Sequence, residues 1–326
     1  MKLLVTGSSG HLGEALMRVL PRVGFESVGL DIQPGAYTGV VGSVGDRRLM
    51  EDLLGEADAV IHAATLHKPH VATHSWADFI ETNVTGTQSV LETAARCGVG
   101  TVIFTSTTSA FGRALSPPSG EPAAWIDESV AGRVKNIYGA TKTAAEDLCE
   151  LAHRRDGTNV LVLRTSRFFP EDDDNPEIRA RYPGENAKAN EFLYRRVDLE
   201  DAARAHVRAL ERAPAIGFSK YVISATPPFR REDLCDLRRD AASVVWRRFA
   251  HGRAIYQARG YRMFDTLDRV YSNAKARREL GWEPEYDFPR ILDQLADNRP
   301  IGSDLGREVG VKGYHGEAYR DGLYPV

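Results

Sequence analysis

The sequence predicts an α/β fold built on a doubly wound parallel sheet, and three observations carry that prediction. Short apolar runs alternate with amphipathic runs of helical length along most of the chain. A glycine-rich turn, TGSSGHLG at 6–13, joins the first apolar run to the first amphipathic one. A second strand, through Val28 to Asp31, completes a βαβ opening. Strands separated by helices of this length imply a parallel sheet covered on both faces.

The elements follow in order. Lys2 to Thr6 reads as a strand, Leu12 to Leu20 as an amphipathic helix, and Val28 to Asp31 as the second strand. A helix is expected near 47–54, a strand at 59–62, a long helix at 76–96 and a strand at 101–105. After an irregular Pro/Gly/Ser-rich segment come a helix at 138–155, a strand at 160–164, a helix at 200–213 and a strand at 221–224. Three stretches break the alternation: 168–190 with its acidic EDDD run, the Arg-rich 229–263, and the tail from Trp282. Regular elements return between them, so they read as excursions forming a second lobe. The expected division is a core of 1–166, rejoined by 195–228 and about 265–275, and a substrate lobe of 167–194, 229–264 and 276–326. EDDDN at 171–175 reads as a solvated loop or lid hinge, with a metal site as the alternative.

Bulk properties narrow the function. In 326 residues, 42% hydrophobic content supports a substantial core, and charges of 27% nearly cancel to −3. Nothing there asks for nucleic acid or another polyanion, so a small-molecule ligand is expected. Cys97, Cys149 and Cys235 are too few and scattered for a disulfide framework or metal knuckle, and reduced cytoplasmic thiols are the simpler reading. No apolar run has signal-peptide or membrane-spanning character, so a cytoplasmic protein without membrane association is expected.

The chemistry concentrates at two places. Gly7, Gly10 and Gly13 lie between strand and helix, where the backbone can approach a pyrophosphate and the helix N-terminus offers free N–H groups. Asp31 closes the second strand at about the distance needed to bond a ribose 2′-hydroxyl, although a turn residue is the bland alternative. Its charge would repel a 2′-phosphate, and neither Ile32 nor Gln33 compensates, so NAD is favoured over NADP. In NIYGATKTAAE, Tyr138 and Lys142 stand at i and i+4 on one helical face. An adjacent ammonium stabilises phenolate, so Tyr138 could take a proton from an alcohol or return one to a carbonyl. The alternative is a surface Tyr on a Lys-bearing helix.

With these motifs in view, the chain resembles the extended short-chain dehydrogenase/reductase family of nucleotide-sugar epimerases and dehydratases. IHAAT at 61–65, NVTGT at 83–87, the hydroxyl stretch FTSTTSAFG at 104–112, YGATK at 138–142 and RRELGWEP at 277–284 carry the resemblance, which covers most of the chain. It implies a Rossmann core with a smaller C-terminal substrate lobe, and a catalytic set of Tyr138, Lys142 and Thr107. It also implies NAD contacts from Gly7, Ser9, Gly10, His11, Leu12, Gly13, Asp31, Ser43, Val44, Ala63, Ala64, Thr65, Lys68, Asn83 and Thr105, together with Tyr138 and Lys142. The helices at 76–96 and 138–155 would form the interface of a homodimer.

Three departures matter. Members that dehydrate or decarboxylate sugars carry a Glu three residues before the glycine, and dehydratases often an Asp ahead of it; here those positions are Ser109 and Thr108. A hydroxyl is no substitute for an acid or base in elimination, so those reactions drop in rank. Ser43 replaces the Asp that contacts adenine in relatives. SRFFPE at 166–171 places Arg167 where nucleotide-sugar enzymes show an Asn that holds the diphosphate.

His62, His67, His70 and His74 invite a metal reading, but Pro69 interrupts the helix that their offsets require, so no metal is expected and they read as pocket histidines. Arg167, Arg195, Arg196 and Arg262, with Thr108, are candidate substrate contacts, since guanidinium grips anions bidentately. The aromatic tail GYHGEAYRDGLYPV at 313–326 could fold over a partner or the active site. The leading expectation is an NAD-dependent epimerase acting on a sugar or nucleotide-sugar hydroxyl through a keto intermediate. A net dehydrogenase or reductase uses the same residues, and a non-catalytic NAD sensor is the alternative of another class.

Overall fold

In the computed structural model, which describes residues 1–173 and 175–312, the βαβ opening continues into a single twisted layer. The described residues form the strands β1 (Lys2–Thr6), β2 (Glu26–Asp31), β3 (Val40–Val41), β4 (Ala59–His62), β5 (Thr101–Thr107), β6 (Ala124–Ile126), β7 (Asn159–Thr165), β8 (Phe218–Ile223) and β9 (Arg269–Tyr271). Seven of them make a parallel sheet in the order β3-β2-β1-β4-β5-β7-β8. β6 and β9 pair in parallel as a small separate sheet. Alternate side chains enter different cores: Leu3 and Val5 of β1 pack on one side with Leu12, Leu16 and Leu210, while Leu4 packs on the other with Leu30, Val90 and Val102. Burial on both faces is why these strands read as unbroken apolar runs.

The helices that cover the faces include α1 (His11–Val19), α2 (Arg47–Leu54), α3 (Trp76–Ile80), α4 (Gly86–Arg96), α5 (Ile137–Asp156) and α8 (Leu199–Ile216), while α6 (Pro176–Arg181) and α7 (Gly184–Glu191) belong to the excursion after β7. The long helix expected at 76–96 is present with one irregularity, a π-helical turn at Glu81–Thr85 between α3 and α4. Such bulges release a backbone group and re-aim a side chain, here Asn83. β3, β6 and β9 fell below what periodicity could show, being two or three residues long.

A second apolar cluster joins α7, the segment 229–264 and the helix Phe288–Ala296, with Phe192, Leu237, Tyr256, Phe264 and Phe288 at its centre. The C-terminal stretch departs from the expected division. Ala276, Leu280, Trp282, Leu305 and Val309 pack with α1 and α8 in the core, so 276–312 does not lie wholly in the lobe. The physical reason is a clasp on Asp201 in the first turn of α8. Its carboxylate accepts from the Glu285 and Tyr286 backbone N–H groups at 2.9 and 2.8 Å, and its carbonyl accepts from the Trp282 indole at 3.1 Å. The tail 313–326 lies outside the described residues, as does Asp174 of the acidic run.

Replacing Asp201 with Ala leaves two backbone donors without an acceptor and should cost on the order of 1–3 kcal/mol. The urea midpoint should fall with little change in slope; an unchanged midpoint would show that the clasp contributes nothing.

Candidate functional site

The sheet order reverses between β1 and β4, and a crevice opens beyond the carboxyl ends of the strands at that point. It holds a cleft of about 1150 Å³, walled at one end by the glycine turn, Asp31, Ser43, Val44 and the segment 63–68, and at the other by Thr107, Tyr138, Arg167, Arg195, Arg269 and Tyr271.

The glycine turn is shaped by lack of space. Gly7 adopts φ +78°, and a Cβ there would sit 2.7 Å from the Ala64 nitrogen. A Cβ on Gly13 would come within 1.9 Å of the Gly7 carbonyl, so the first turn of α1 rests directly on the end of β1. Gly10 differs. Its Cβ would meet only the Gly7 oxygen, at 3.4 Å, and otherwise face open space in the cleft wall. That open face at the start of α1 is where an anionic group can approach backbone N–H groups, and Asp31 stands across from it, accepting from the Ser9 N–H at 2.9 Å. These residues fit a dinucleotide with a free 2′-hydroxyl. Ser9, His11, Leu12, Ala63, Ala64, Thr65, Lys68 and Thr105 also line the cleft.

Asn83 is placed differently. Its amide oxygen accepts from the Leu66 N–H at 2.8 Å and the Thr65 hydroxyl at 2.9 Å, and its nitrogen donates to the Leu66 carbonyl at 2.9 Å. Asn83 therefore clasps the cleft-lining segment from behind and does not itself line the cleft. Beneath that segment runs a buried relay. The Ala64 N–H donates to Thr6 Oγ1, which is 2.7 Å from His62 Nδ1, and His62 Nε2 is 3.1 Å from Thr87 Oγ1, which donates to the Asn83 carbonyl. Because Thr87 already donates, His62 must be protonated on Nε2 and accept on Nδ1. Burial, with the Lys142 charge, lowers its pKa to about 3, so it stays neutral.

The hydroxyls of β5 separate by strand alternation. Thr105 Oγ1 lies 2.9 Å from His206 Nε2, and since His206 Nδ1 donates to the Ala202 carbonyl, Thr105 is the donor. Ser106 Oγ donates to Glu146 at 2.6 Å on the other face, where Arg164 holds the same carboxylate at 2.7 Å. Thr107 accepts from the Ser109 N–H at 3.1 Å and lies close enough to the Tyr138 phenol to lower its pKa. Thr108 and Ser109 line the cleft where the acid pair would stand.

Tyr138 enters the site from the first turn of α5, which Asn136 caps by accepting from the Gly139 N–H at 3.0 Å. Burial pushes its phenol up to about 12, offset by the hydrogen bond to Thr107. The Lys142 ammonium, expected beside the phenol from the i, i+4 spacing, is engaged with the backbone of β5. Its Nζ donates to the Thr105 carbonyl at 2.6 Å and lies 4.0 Å from the centre of the Phe104 ring, below the cleft floor. Burial lowers its pKa to about 7, against the raising influence of Cys149 and Glu146.

The arginine candidates divide. Arg167 lines the cleft and donates to the Asp172 carbonyl at 2.7 Å; Arg195 lines it and binds Asp173 and Glu191. Arg196 is buried outside the cleft, tied to Glu191 at 2.8 Å and the Phe169 carbonyl at 2.9 Å. Arg262 is exposed, donating to the Arg181 carbonyl and stacking over Tyr182, also outside the cleft. Both were expected as substrate contacts; spacing could not show which way the excursions turn. His67, His70 and His74 line the cleft, and among the described residues no group of three ligands is arranged for a metal ion. Arg269, Tyr271, Lys135 and Asn136 line the substrate end unforeseen; Asn136 alone had a signal, as a capping residue before a helix.

Two sets of variants test this geometry. Gly13→Ala should unfold at clearly lower temperature, whereas Gly10→Ala should keep its melting temperature and lose NAD binding by calorimetry; equal effects of the two would contradict the cradle. Lys142→Met should abolish turnover without lowering the melting temperature at pH 7, since a buried ammonium is removed. With the folded pKa near 7 and the unfolded value at 10.5, the unfolded chain binds the extra proton between those values, so parental stability rises with pH across that window. The advantage of Lys142→Met over the parent should therefore shrink between pH 7 and 10. A constant gap would place Lys142 in solvent.

Comparison with known proteins bears on this arrangement. A profile of the NAD dependent epimerase/dehydratase family matches residues 3–223. The dTDP-glucose 4,6-dehydratase of Streptomyces antibioticus is 30% identical over 336 residues, covering 92% of this chain and 93% of its own. The UDP-glucose 4-epimerase of Rhizobium meliloti is 26% identical, covering 89% and 94%. The solved structure of a UDP-glucose 4-epimerase from Thermotoga maritima, with UDP-glucose, shares the fold at a TM-score of 0.63 and 21% identity, covering 91% and 98%. The matched segment runs from β1 through the end of β8 and so takes in the whole parallel sheet; the chain is an enzyme of the extended short-chain dehydrogenase/reductase type and belongs to the NAD dependent epimerase/dehydratase family.

Proposed function

We propose that this enzyme is an NAD-dependent epimerase that inverts a sugar or nucleotide-sugar carbinol through a transient keto intermediate. The nearness of the Tyr138 phenol to Thr107, whose hydroxyl lowers the phenol's pKa, with both residues in the cleft wall, carries the reading. It puts a proton-transferring group and an orienting hydroxyl side by side at the end of β5. NAD bound against the glycine turn, Asp31 and Thr65 supplies the acceptor and then the donor of hydride. Tyr138 takes the hydroxyl proton as the carbinol carbon is oxidised and returns it when the opposite face is reduced. Thr107 holds the reacting oxygen next to the phenol. A phenol whose pKa stands near 12 needs a nearby positive charge to act as a base at neutral pH. Lys142, on the same helix, would supply that charge by turning from the Thr105 carbonyl toward the cleft, and the positive charge of an oxidised cofactor held there would add to it.

The hydroxyls of Thr108 and Ser109, in place of an acid pair, support reversible oxidation over the elimination performed by the dehydratase relative. Residues 167–169, 173 and 175–177, with Arg195, Arg269 and Tyr271, are read as the substrate-binding side of the cleft, and the apolar cluster of 229–264 stands behind them without lining it. A homodimer through α3, α4 and α5 is part of the proposal, supported by Trp76, Ile80 and Leu151, which stand 73%, 48% and 52% exposed on those helices; light scattering decides it.

Tyr138→Phe should lower turnover by a factor of about 10² to 10⁴ while NAD still binds. The parent enzyme should carry tightly held NAD and invert its substrate with no net NADH. Steady NADH formation would instead make the enzyme a dehydrogenase using the same residues. Full activity in Tyr138→Phe would leave only cofactor binding.

A further inference from the structure

We propose that the substrate is a free sugar carrying no nucleotide diphosphate, because the guanidinium groups that would hold a diphosphate are already matched by carboxylates of this chain. The proposal rests on the reaction proposed above and adds the substrate class.

At the centre is Glu191, the last residue of α7, whose side chain is 1% exposed. Three guanidiniums converge on it: Arg195 at 2.6 Å, Arg196 at 2.8 Å and Arg167 at 3.8 Å. Burial alone would raise this carboxyl, but the three guanidiniums outweigh it and hold the group far below the usual carboxylate range. Arg195 takes a second carboxylate, Asp173, at 2.5 Å. Arg167 also donates to the Asp172 carbonyl and Arg196 to the Phe169 carbonyl, so both are turned toward the 169–173 loop.

A diphosphate needs cations whose charge and forked donors are available to it. At this end of the cleft it would have to displace Asp173 or Glu191 from a guanidinium. It would also meet Glu177, which lines the same wall as Asp173. That is a repulsive element against one class of ligand, and specificity is built as much from such elements as from attraction. Arg269 does not reverse the balance, since its Nη1 donates to the Leu115 carbonyl at 3.2 Å and lies 3.5 Å from Asp268.

The same wall suits hydroxyl groups. Asn136, Asn175 and Ser116 supply neutral donors and acceptors at the same end, which hydroxyls can engage without breaking any ion pair. Lys135 is a remaining cation, enough for a sugar with a single carboxylate.

The experiment is calorimetry of the NAD-loaded enzyme with UDP and dTDP as separate probes. Neither should bind more tightly than about 1 mM, and binding of either below that value overturns the proposal. Asp173→Asn removes one of the two carboxylates on Arg195 and should strengthen UDP binding at least tenfold; a variant as indifferent to UDP as the parent overturns the charge argument. In parallel, free aldoses and uronic acids are assayed beside nucleotide sugars for inversion and for NADH. Turnover of a nucleotide sugar alone overturns the substrate class and leaves the reaction standing. Failure of every substrate to be oxidised or inverted sinks the reaction reading, while the calorimetry still decides whether a nucleotide diphosphate is accepted.

Discussion

Direct backbone packing between Gly7 and Gly13 is the contact on which the cleft depends. The first turn of α1 rests on the Gly7 carbonyl with no room for a Cβ, and Gly7 itself presses against Ala64 at the end of β4. This brings α1 close enough to the sheet for its N-terminus to face the crevice left where the strand order reverses. It also sets the height of the 63–68 segment above the sheet. The Thr6, His62, Thr87 and Asn83 relay then secures that segment from below, with every hydroxyl and ring nitrogen in it assigned a partner. A polar network this fully satisfied rigidifies a core, whereas one with a missing member would cost stability.

At the other end of the cleft, burial governs the electrostatics. Tyr138 and Lys142 share a helix face, yet the ammonium is turned to the Thr105 carbonyl and the Phe104 ring, and desolvation moves both groups toward their neutral forms. The phenol and ammonium would therefore reach their charged forms at neutral pH only with help from what binds above them. Sites that shift ionisable groups in this way through burial are characteristic of catalytic chemistry. Glu191 shows the opposite outcome: three guanidiniums overcome the same desolvation and keep a buried carboxylate charged. The difference is the number of opposing charges within reach.

The sequence by itself determined the sheet, the glycine cradle and the placing of Tyr138 and Thr107 at a helix start and a strand end. Alternating apolar and amphipathic runs encode strand and helix through their periods, and the glycine spacing encodes a close backbone approach that no other residue permits. Tyr138 and Thr107 were legible because their motif lies within one helix and one strand end. The tertiary structure alone decided the partners of the three adjacent hydroxyls on β5. Strand alternation sends Thr105 to His206 and Ser106 to Glu146, partners 101 and 40 residues away. It also decided that Asn83, Arg196 and Arg262 serve the scaffold, that Lys142 turns inward, and that Arg269 and Tyr271 return to the cleft. Local sequence carries periodicity and turn chemistry, but the direction in which a long excursion folds back is set by contacts between residues far apart in the chain, which no local pattern records.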